Sequence, residues 1–261
     1  MKTPRVISAA RQARRLRLDA FTLIELLVVI SIIAVLAGFV VGLAPVASRR
    51  MKDARLRVEL TQVVGAIEAY KARFGVYPPD NYDPIRRVTN PVTNSLFYEL
   101  TGVLADNQQE ELVTADDNTT ITPAIFQQYF GREGVLNSVP RIQGPAGDAT
   151  RQAKLDREQK KLLMRRDFKP SQFAELFRRK TDPGYVDLEV LAVGFSGDAS
   201  GKKASGFSWP TGNPADQQPV PTNPGLNPWR YVSTTPTNNP GRFDVWAEIR
   251  EGNRTNIVGN W

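Results

Sequence analysis

The amino-acid sequence predicts an α/β protein of the α+β type, in which one long N-terminal helix packs on a small antiparallel sheet. Three observations support this class. Residues 26–48 form an apolar run without a charged residue, residues 56–74 repeat apolar side chains at helical spacing, and residues 242–249 alternate as strands do. The chain has 261 residues, which allows one domain or at most two small ones.

Two missing residue types narrow the possible functions. The chain contains no cysteine and no histidine. It therefore has no disulfides, no thiolate nucleophile, no Ser-His-Asp triad and none of the commonest metal ligand. Carboxylates and lysines can still catalyse reactions, but no paired-carboxylate constellation stands out. We expect a protein that is not an enzyme and that uses no cofactor or metal.

The first twenty residues are strongly basic. Residues 1–20 carry +5 of the formal net charge of +7, with Asp19 as their single acid. A basic tail can bind nucleic acid, but a basic segment directly before an apolar run is typical of a targeting signal at the membrane. We therefore expect a leader, and no nucleic acid as the primary partner.

The apolar run that begins at Phe21 is long enough to cross a membrane. At about 1.5 Å per residue, a helix over the uncharged stretch Leu26–Ser48 spans a bilayer core of about 30 Å. The run is also longer than the apolar region of a cleaved secretory signal. We predict one transmembrane helix over residues 21–48. Basic residues flank it on both sides, so the positive-inside rule leaves its orientation open.

Glu25 is an acid inside this apolar run, four residues after Phe21. A carboxylate in a bilayer is costly unless a cation pairs with it. No Lys or Arg lies between Phe21 and Ser48, but a chain cut before Phe21 would have a new α-amine near the same depth. Without such a cut, Glu25 would be a helix-end acid that reaches the headgroups.

Residues 19–25, Asp-Ala-Phe-Thr-Leu-Ile-Glu, resemble the prepilin cleavage and methylation motif of type IV pilins and type II secretion pseudopilins. The resemblance implies cleavage by prepilin peptidase between Ala20 and Phe21, followed by N-methylation of Phe21. It also implies that Glu25 of one subunit pairs with the N-terminal amine of its neighbour during assembly. The leader then stays cytoplasmic, which decides the orientation. Ala20 departs from the glycine that the family normally has before the cut, which leaves the rate of cleavage open.

The predicted helix continues beyond the apolar run to Phe74. Gly75 and Pro78-Pro79 mark its end. Apolar side chains at helical spacing should pack on the chain's own domain. These residues are Leu56, Leu60, Val63, Ile67, Tyr70 and Phe74. Candidate positions for a bend or local melting within the helix are Gly38, Gly42 and Pro45.

Two segments of the remaining chain resemble the major pseudopilin of type II secretion. Residues 74–79 are similar to the end of its long helix, and residues 227–231 with the C-terminus are similar to its last strands. The resemblance implies a pilin-like fold. Alternation predicts a strand with Phe243, Val245 and Ala247 on one face, and we expect the tryptophans here to be core anchors. A short helix with an Asn94 or Ser95 cap should precede these strands.

Many major pseudopilins bind calcium in the last loop, and the matching stretch here is residues 248–256. Its acids, Glu248 and Glu251, lie among Arg250 and Arg254. Calcium takes about 6–8 oxygen ligands, usually several of them carboxylates. We therefore expect no calcium site.

The middle of the chain, residues 103–225, resembles no segment of the family and is treated as a loop-rich, helical insertion. Residues 151–180 hold eleven basic and four acidic residues, and the pattern predicts helices over 151–166 and 171–180. The second helix would place Phe173, Leu176 and Phe177 on one face. This basic segment is either a solvated surface or a docking surface for acidic partners. Residues 197–240 are rich in Gly, Pro, Asn and Ser, which predicts loops.

The sequence thus divides into four parts: a basic prepilin leader (1–20), a transmembrane helix (21–48), the periplasmic half of the long helix (49–79) and a soluble domain (80–261). The resemblance implies a structural subunit of a type II secretion pseudopilus. Its expected partners are prepilin peptidase, copies of itself, other pseudopilins, the inner-membrane assembly platform and membrane lipid. The subunit would cross the bacterial inner membrane once, with its N-terminus cytoplasmic and its C-terminal domain and filament periplasmic.

Three alternatives remain open at this point. A surface type IV pilin for adhesion or DNA uptake belongs to the same superfamily. A membrane-anchored binding module would use the insertion to hold a partner and would not polymerise. A membrane-anchored hydrolase with acidic catalysis ranks last.

Overall fold

The computed structural model describes residues 22–106, 110–115, 119–175, 188–193, 227–251 and 254–261. The basic leader, Ala20 and Phe21 lie outside these ranges, as do most of the predicted loops of residues 197–240. The chain separates into two compact units, Met1–Arg50 and Met51–Trp261.

The helices and strands follow one another along the chain. The described helices are α1 (Leu23–Phe74), α2 (Leu96–Thr101), α3 (Pro123–Phe130) and α4 (Ala149–Lys160). The strands are β1 (Asn81–Asp83), β2 (Val88–Asn90), β3 (Val103–Asp106), β4 (Glu111–Thr114), β5 (Thr120–Ile121), β6 (Ser138–Pro140), β7 (Phe173–Glu175), β8 (Glu189–Leu191), β9 (Arg230–Val232), β10 (Asp244–Glu251) and β11 (Arg254–Gly259).

Helix α1 ends where the sequence predicts. Gly75 follows Phe74 with a left-handed φ of 79°, and its N–H donates to the Lys71 carbonyl at 2.9 Å. A glycine in this conformation is a common helix terminator because it has no Cβ to clash. Gly38, Gly42 and Pro45 were candidate positions for a bend or local melting, and no melting is observed, because the backbone stays helical through all three.

Across the described part of the chain, we find no helix that combines the length and the apolar character needed for a membrane crossing. The predicted span over residues 21–48 lies partly outside this description, which omits Phe21 and the side chains of residues 40–49.

The second unit is built around the apolar stripe of α1. Leu56, Val63, Ile67 and Tyr70 are buried, as the spacing predicts. They share one core cluster with Phe243, which directly precedes β10, and with Val245 and Ala247 on the inward face of β10. Strands β11, β10 and β9 form an antiparallel sheet in that order, so the predicted strand and the final hairpin are both confirmed.

The predicted class, α+β, agrees with the structure, but the sheet is divided. The described strands form four small sheets rather than one. The largest has the order β5-β4-β3-β6, and its β3–β6 pair is parallel. It lies within the insertion, together with α3, and neither was predicted. Thr122 caps α3 by accepting the Ile125 N–H, and Pro123 fits the first helical turn.

The two predicted helices of the basic segment need correction. The first is α4, which begins two residues earlier than predicted and ends at Lys160. The chain leaves the helix there, and Leu163 and Met164 are buried beyond its end. The second helix is wrong over Phe173–Glu175, which form β7 paired with β8. Residues 176–180, with Leu176 and Phe177, lie outside the described residues.

The segment before residue 194 and the segment after residue 226 lie side by side. The Val193 N–H donates to the Asn227 carbonyl at 2.8 Å, and the Trp229 N–H donates to the Leu191 carbonyl at 2.9 Å. Ala192 and Pro228 form the β-bridge between these two contacts. Val193 and Asn227, which flank the undescribed residues 194–226, therefore lie next to each other.

Candidate functional site

Glu25 lies in the first turn of α1. The predicted cleavage position, between Ala20 and Phe21, lies just before this helix. Its Oε2 accepts hydrogen bonds from the Thr22 N–H at 2.9 Å and from the Thr22 hydroxyl at 2.7 Å. The Thr22 Oγ1 in turn accepts the Glu25 N–H at 3.3 Å. This reciprocal arrangement is a capping box, which satisfies two N–H groups at the start of a helix.

The capping box gives Glu25 a defined position within a single chain. A carboxylate near a helix N-terminus is favoured by the helix dipole. Here the side chain is exposed, so it can also meet a cation from outside. Glu25 was predicted from the sequence to be a functional residue, whereas Thr22 was not. The Thr-x-x-Glu spacing before an apolar run is the signal that points to both residues.

The N-terminal part of α1 exposes almost all of its apolar side chains. From Leu23 to Phe39, the large apolar residues have exposed fractions between 45% (Val29) and 82% (Leu23). The hydroxyl group in this stretch, that of Ser31, donates a hydrogen bond to the Leu27 carbonyl at 2.8 Å, so it has a partner within the helix. A contiguous apolar surface of this kind marks an interaction with lipid or with other protein chains.

A buried carboxylate, Glu99 of α2, joins α1 to the rest of the second unit. It accepts hydrogen bonds from the Tyr70 hydroxyl at 2.7 Å and from the N–H groups of Leu136 and Asn137, both at 3.2 Å. Burial raises the pKa of Glu99, against the opposing effect of these donors. All three donors come from the fold itself, so the carboxylate has a structural role.

Two further carboxylates organise the loop between β9 and β10. Asp80 accepts the N–H groups of Ser233 and Thr234, both at 2.8 Å. Asp244 accepts three consecutive N–H groups, those of residues 237–239, at 2.7 to 2.9 Å. The carboxylates of Asp80 and Asp244 therefore hold this loop in place, because the loop forms few backbone–backbone hydrogen bonds of its own.

Residues 248–256, which match the calcium-binding loop of major pseudopilins and for which we expect no calcium site, contain an acid that forms an ion pair. Glu248 lies 3.0 Å from Arg230, and burial lowers the pKa of that guanidinium to about 10 while Glu248 opposes the shift. Within the described ranges, no group of three or more acidic side chains is placed to hold a metal ion.

The basic segment is attached to the four-stranded sheet through buried polar contacts. Arg141, just after β6, makes a two-pronged bond to Asp156 of α4 at 2.8 and 3.1 Å. Burial alone would raise the pKa of Asp156, but the donors Arg141 and Gln152 hold it below its ordinary value. A groove of about 640 Å³ runs between α4 and β4, and the cations Arg151 and Lys154 are exposed on the helix.

The expectation that the tryptophans are core anchors is correct for Trp229 and wrong for Trp261. Trp229 is fully buried, whereas Trp261 is 52% exposed and Trp246 is half-buried. The rings of Trp246 and Trp261 meet edge to face at 5.9 Å, beside a groove of about 550 Å³. Trp246 alternates with the buried Val245 and Ala247, so it lies on the outer face of the sheet.

Comparison with known proteins supports the N-terminal site. Residues 19–41 match the family model described as the prokaryotic N-terminal methylation motif, which is type IV prepilin-like. This match contains Ala20, Phe21, Thr22 and Glu25 but only a small part of the chain. The comparisons with curated proteins and with solved structures gave no match. The motif indicates a pilin-like N-terminus that prepilin peptidase processes and that is anchored in a membrane.

Proposed function

We propose that this chain is a structural subunit of a type II secretion pseudopilus. The observation that carries the proposal is the methylation motif over residues 19–41, with Glu25 at its expected place. Prepilin peptidase would cut between Ala20 and Phe21, and the new N-terminus would be methylated at Phe21. The C-terminal domain would then lie in the periplasm, anchored to the inner membrane by α1.

Assembly would follow from the chemistry of the first turn of α1. Cleavage creates an α-amine at Phe21, one residue before the capping threonine. The exposed carboxylate of Glu25 can accept that amine from a neighbouring copy, and the pair would neutralise both charges in a medium of low dielectric. The exposed apolar surface from Leu23 to Phe39 would pack against the apolar helices of neighbouring copies. The contact between Glu25 of one copy and the amine of the next joins two different sites, so it is head-to-tail, does not close and extends into a filament.

The pseudopilus is favoured over a surface type IV pilin by the C-terminal region. The Asn-Pro-Trp segment at residues 227–229 and the final hairpin resemble the major pseudopilin, and the chain has no cysteine for the C-terminal disulfide found in many type IV pilins. Other pseudopilins and the inner-membrane assembly platform would be its partners. We also propose that the protein is not an enzyme. The buried carboxylates Glu99, Asp156 and Asp244 are all engaged by donors of the fold.

N-terminal mass spectrometry of the membrane-extracted protein tests this function. We expect a species that begins at methylated Phe21 in cells with prepilin peptidase, and the full leader in cells without it. The variant Ala20→Gly restores the usual residue before the cut and is the matched control for the rate of cleavage. A leader that remains on the wild-type chain in both strains, and is removed in Ala20→Gly, would reject the polymer and favour a membrane-anchored binding module.

A further inference from the structure

The first turns of α1 in the second unit combine cations with exposed apolar side chains. Met51 and Val58 are 67% and 59% exposed, although both are large and apolar. They are seven residues apart, so they lie on the same side of the helix about two turns from each other. Lys52, Arg55 and Arg57 lie beside them. We call these five residues the basic collar.

Met51, Arg55, Arg57 and Val58 of the collar are exposed, whereas Lys52, one turn before Leu56, is half-buried. Leu56, in the middle of the same segment, is buried and marks the inward side of the helix. Arg57 is exposed and makes no ion pair with a described residue. Arg55 pairs with Glu59 at 3.1 Å, and its own side chain remains more than half exposed. The outward side of the helix thus offers positive charge next to apolar surface.

The sequence places the collar close to the apolar run. Arg49, Arg50 and the three collar cations form a group of five basic residues within residues 49–57, against one acid, Asp53. Only two residues separate Ser48 from Met51, so the chain between them reaches about 10 Å at most. If α1 anchors the subunit, as proposed above, the start of the collar, Met51 and Lys52, therefore lies next to the lipid headgroups.

We infer that the basic collar binds anionic phospholipid headgroups on the periplasmic face of the membrane. The long side chains of Lys52, Arg55 and Arg57 would reach the phosphates, while Met51 would enter the boundary between headgroups and acyl chains. Basic residues next to a membrane bind anionic lipid surfaces with a gain of about fivefold in affinity for each cation. The contact would hold the subunit in the membrane until assembly draws it out. This inference rests on the anchoring part of the proposed function, not on the filament.

Fluorescence at a single engineered position can measure this contact in the full chain. Because the wild type has no cysteine, Met51→Cys provides one unique site for an environment-sensitive dye. The labelled chain is reconstituted into vesicles of phosphatidylcholine alone and of phosphatidylcholine with phosphatidylglycerol. We expect emission at shorter wavelength in the anionic vesicles, and a return to the phosphatidylcholine spectrum at about 1 M NaCl, where the Debye length is about 3 Å.

Two double variants in the labelled chain give the matched comparison. Lys52→Gln with Arg57→Gln should remove the difference between the two kinds of vesicle. Arg151→Gln with Lys154→Gln removes the same charge from the exposed side of α4 and should leave the difference intact. Inorganic phosphate at equal ionic strength should act no more strongly than NaCl, which separates lipid headgroups from free phosphate as the ligand.

Each other result rejects the inference. Equal spectra in the two kinds of vesicle, with the chain inserted, would show that the collar has no preference for anionic lipid and would leave the filament proposal standing. Loss of the difference in the α4 variant would move the lipid contact to α4. A chain that fails to float with either kind of vesicle would reject the anchor, and with it both proposals.

Discussion

Helix α1 carries two apolar stretches, and the chain covers only one of them. Between Leu56 and Phe74, the apolar residues that recur every three or four positions, unlike Val58, are buried or half-buried in the second unit. Between Leu23 and Phe39, apolar residues occupy nearly every position and are exposed. Both stretches form regular helix, so the difference lies in their side-chain patterns.

The comparison shows what each pattern is suited to contact. A stripe at period 3.6 has one apolar face and one polar face, which suits a helix at the edge of its own domain. A helix that is apolar on all sides needs an apolar surrounding on all sides. The first part of α1 needs lipid or other copies to cover its apolar side chains. The second part packs its apolar side chains against residues of the same chain.

The largest effect should come from Glu25, the acid in the uncovered stretch. Glu25→Gln removes the charge that would pair with the amine of a neighbouring copy, so we expect filaments to be lost from cells that process the leader. The measurement is sedimentation and electron microscopy of filaments released by opening the cell envelope. Glu68→Gln, the same change on the covered stretch of α1, is the control and should leave filaments intact. Normal filaments in the Glu25 variant would remove the assembly role of this residue.

Two isoleucines compare the stretches directly through stability. Ile67 is fully buried, so Ile67→Ala should lower the free energy of unfolding of the second unit by about 2–5 kcal/mol. Ile33 is 57% exposed, and Ile33→Ala should change the same quantity by less than about 0.5 kcal/mol. Urea denaturation of the full chain in detergent, followed by tryptophan fluorescence, measures both. Equal losses would mean that the first stretch is also part of the chain's own core.

Glu99 gives the covered stretch a pH dependence. Burial raises its pKa in the folded state above the ordinary value, so the folded state binds more protons than the unfolded state at pH values between the two. This part of the stability is present below the unfolded pKa and is lost as pH rises through the folded pKa. We expect Glu99→Gln to remove that slope and to cost about 1–3 kcal/mol at low pH, because one donor loses its acceptor.

Urea denaturation across the acidic and neutral pH range measures the Glu99 effect. Asp156 is the internal control, because its lowered pKa has the opposite sign and its contribution is lost as pH falls. If the free energy of unfolding of the Glu99→Gln variant changes with pH as steeply as that of the wild type, other groups cause the pH dependence.

The smallest effect concerns the short helix α2, which packs in the same core. The Asn94 side chain accepts the Leu96 N–H at 3.2 Å and donates to the Trp229 carbonyl at 2.8 Å, whereas Ser95 makes no side-chain cap bond. Asn94→Ala should therefore cost about 1–2 kcal/mol, and Ser95→Ala less than that. Thermal unfolding of the two variants decides between the residues. A larger cost for Ser95→Ala would contradict the observed cap.

Regular periodicity made part of this fold predictable. The apolar stripe of α1 repeats over several helical turns, and the face formed by Phe243, Val245 and Ala247 repeats every second residue. A repeat of this length is compatible with only one kind of secondary structure. The class and the final hairpin follow from these two patterns. Glu25 was predictable for another reason: a lone acid in an apolar run is costly enough to require an explanation.

The sheet of the insertion was not predictable because its strands are too short to show a period. Strands β3 to β6 have two to four residues each, and their pairing includes one parallel contact that no local pattern encodes. Phe173 illustrates the same limit. Helical spacing with Leu176 and Phe177 suggested a helix, but its ring packs on Phe97 at 4.9 Å and its backbone pairs with Leu191. Tertiary contact overrides local preference in such short segments.

The hydrogen-bonded contact between Val193 and Asn227, which we call the junction, has a consequence for the evolution of the sequence. Val193 and Asn227 are hydrogen-bonded to each other, so the two positions that residues 194–226 connect are already close together. The entropy of closing a flexible loop rises by only about 0.6 kcal/mol for each doubling of its length. Insertions, deletions or a grafted reporter at this position should therefore be tolerated by the strands on either side. The junction makes residues 194–226 a place where the protein can acquire new sequence while it keeps its core.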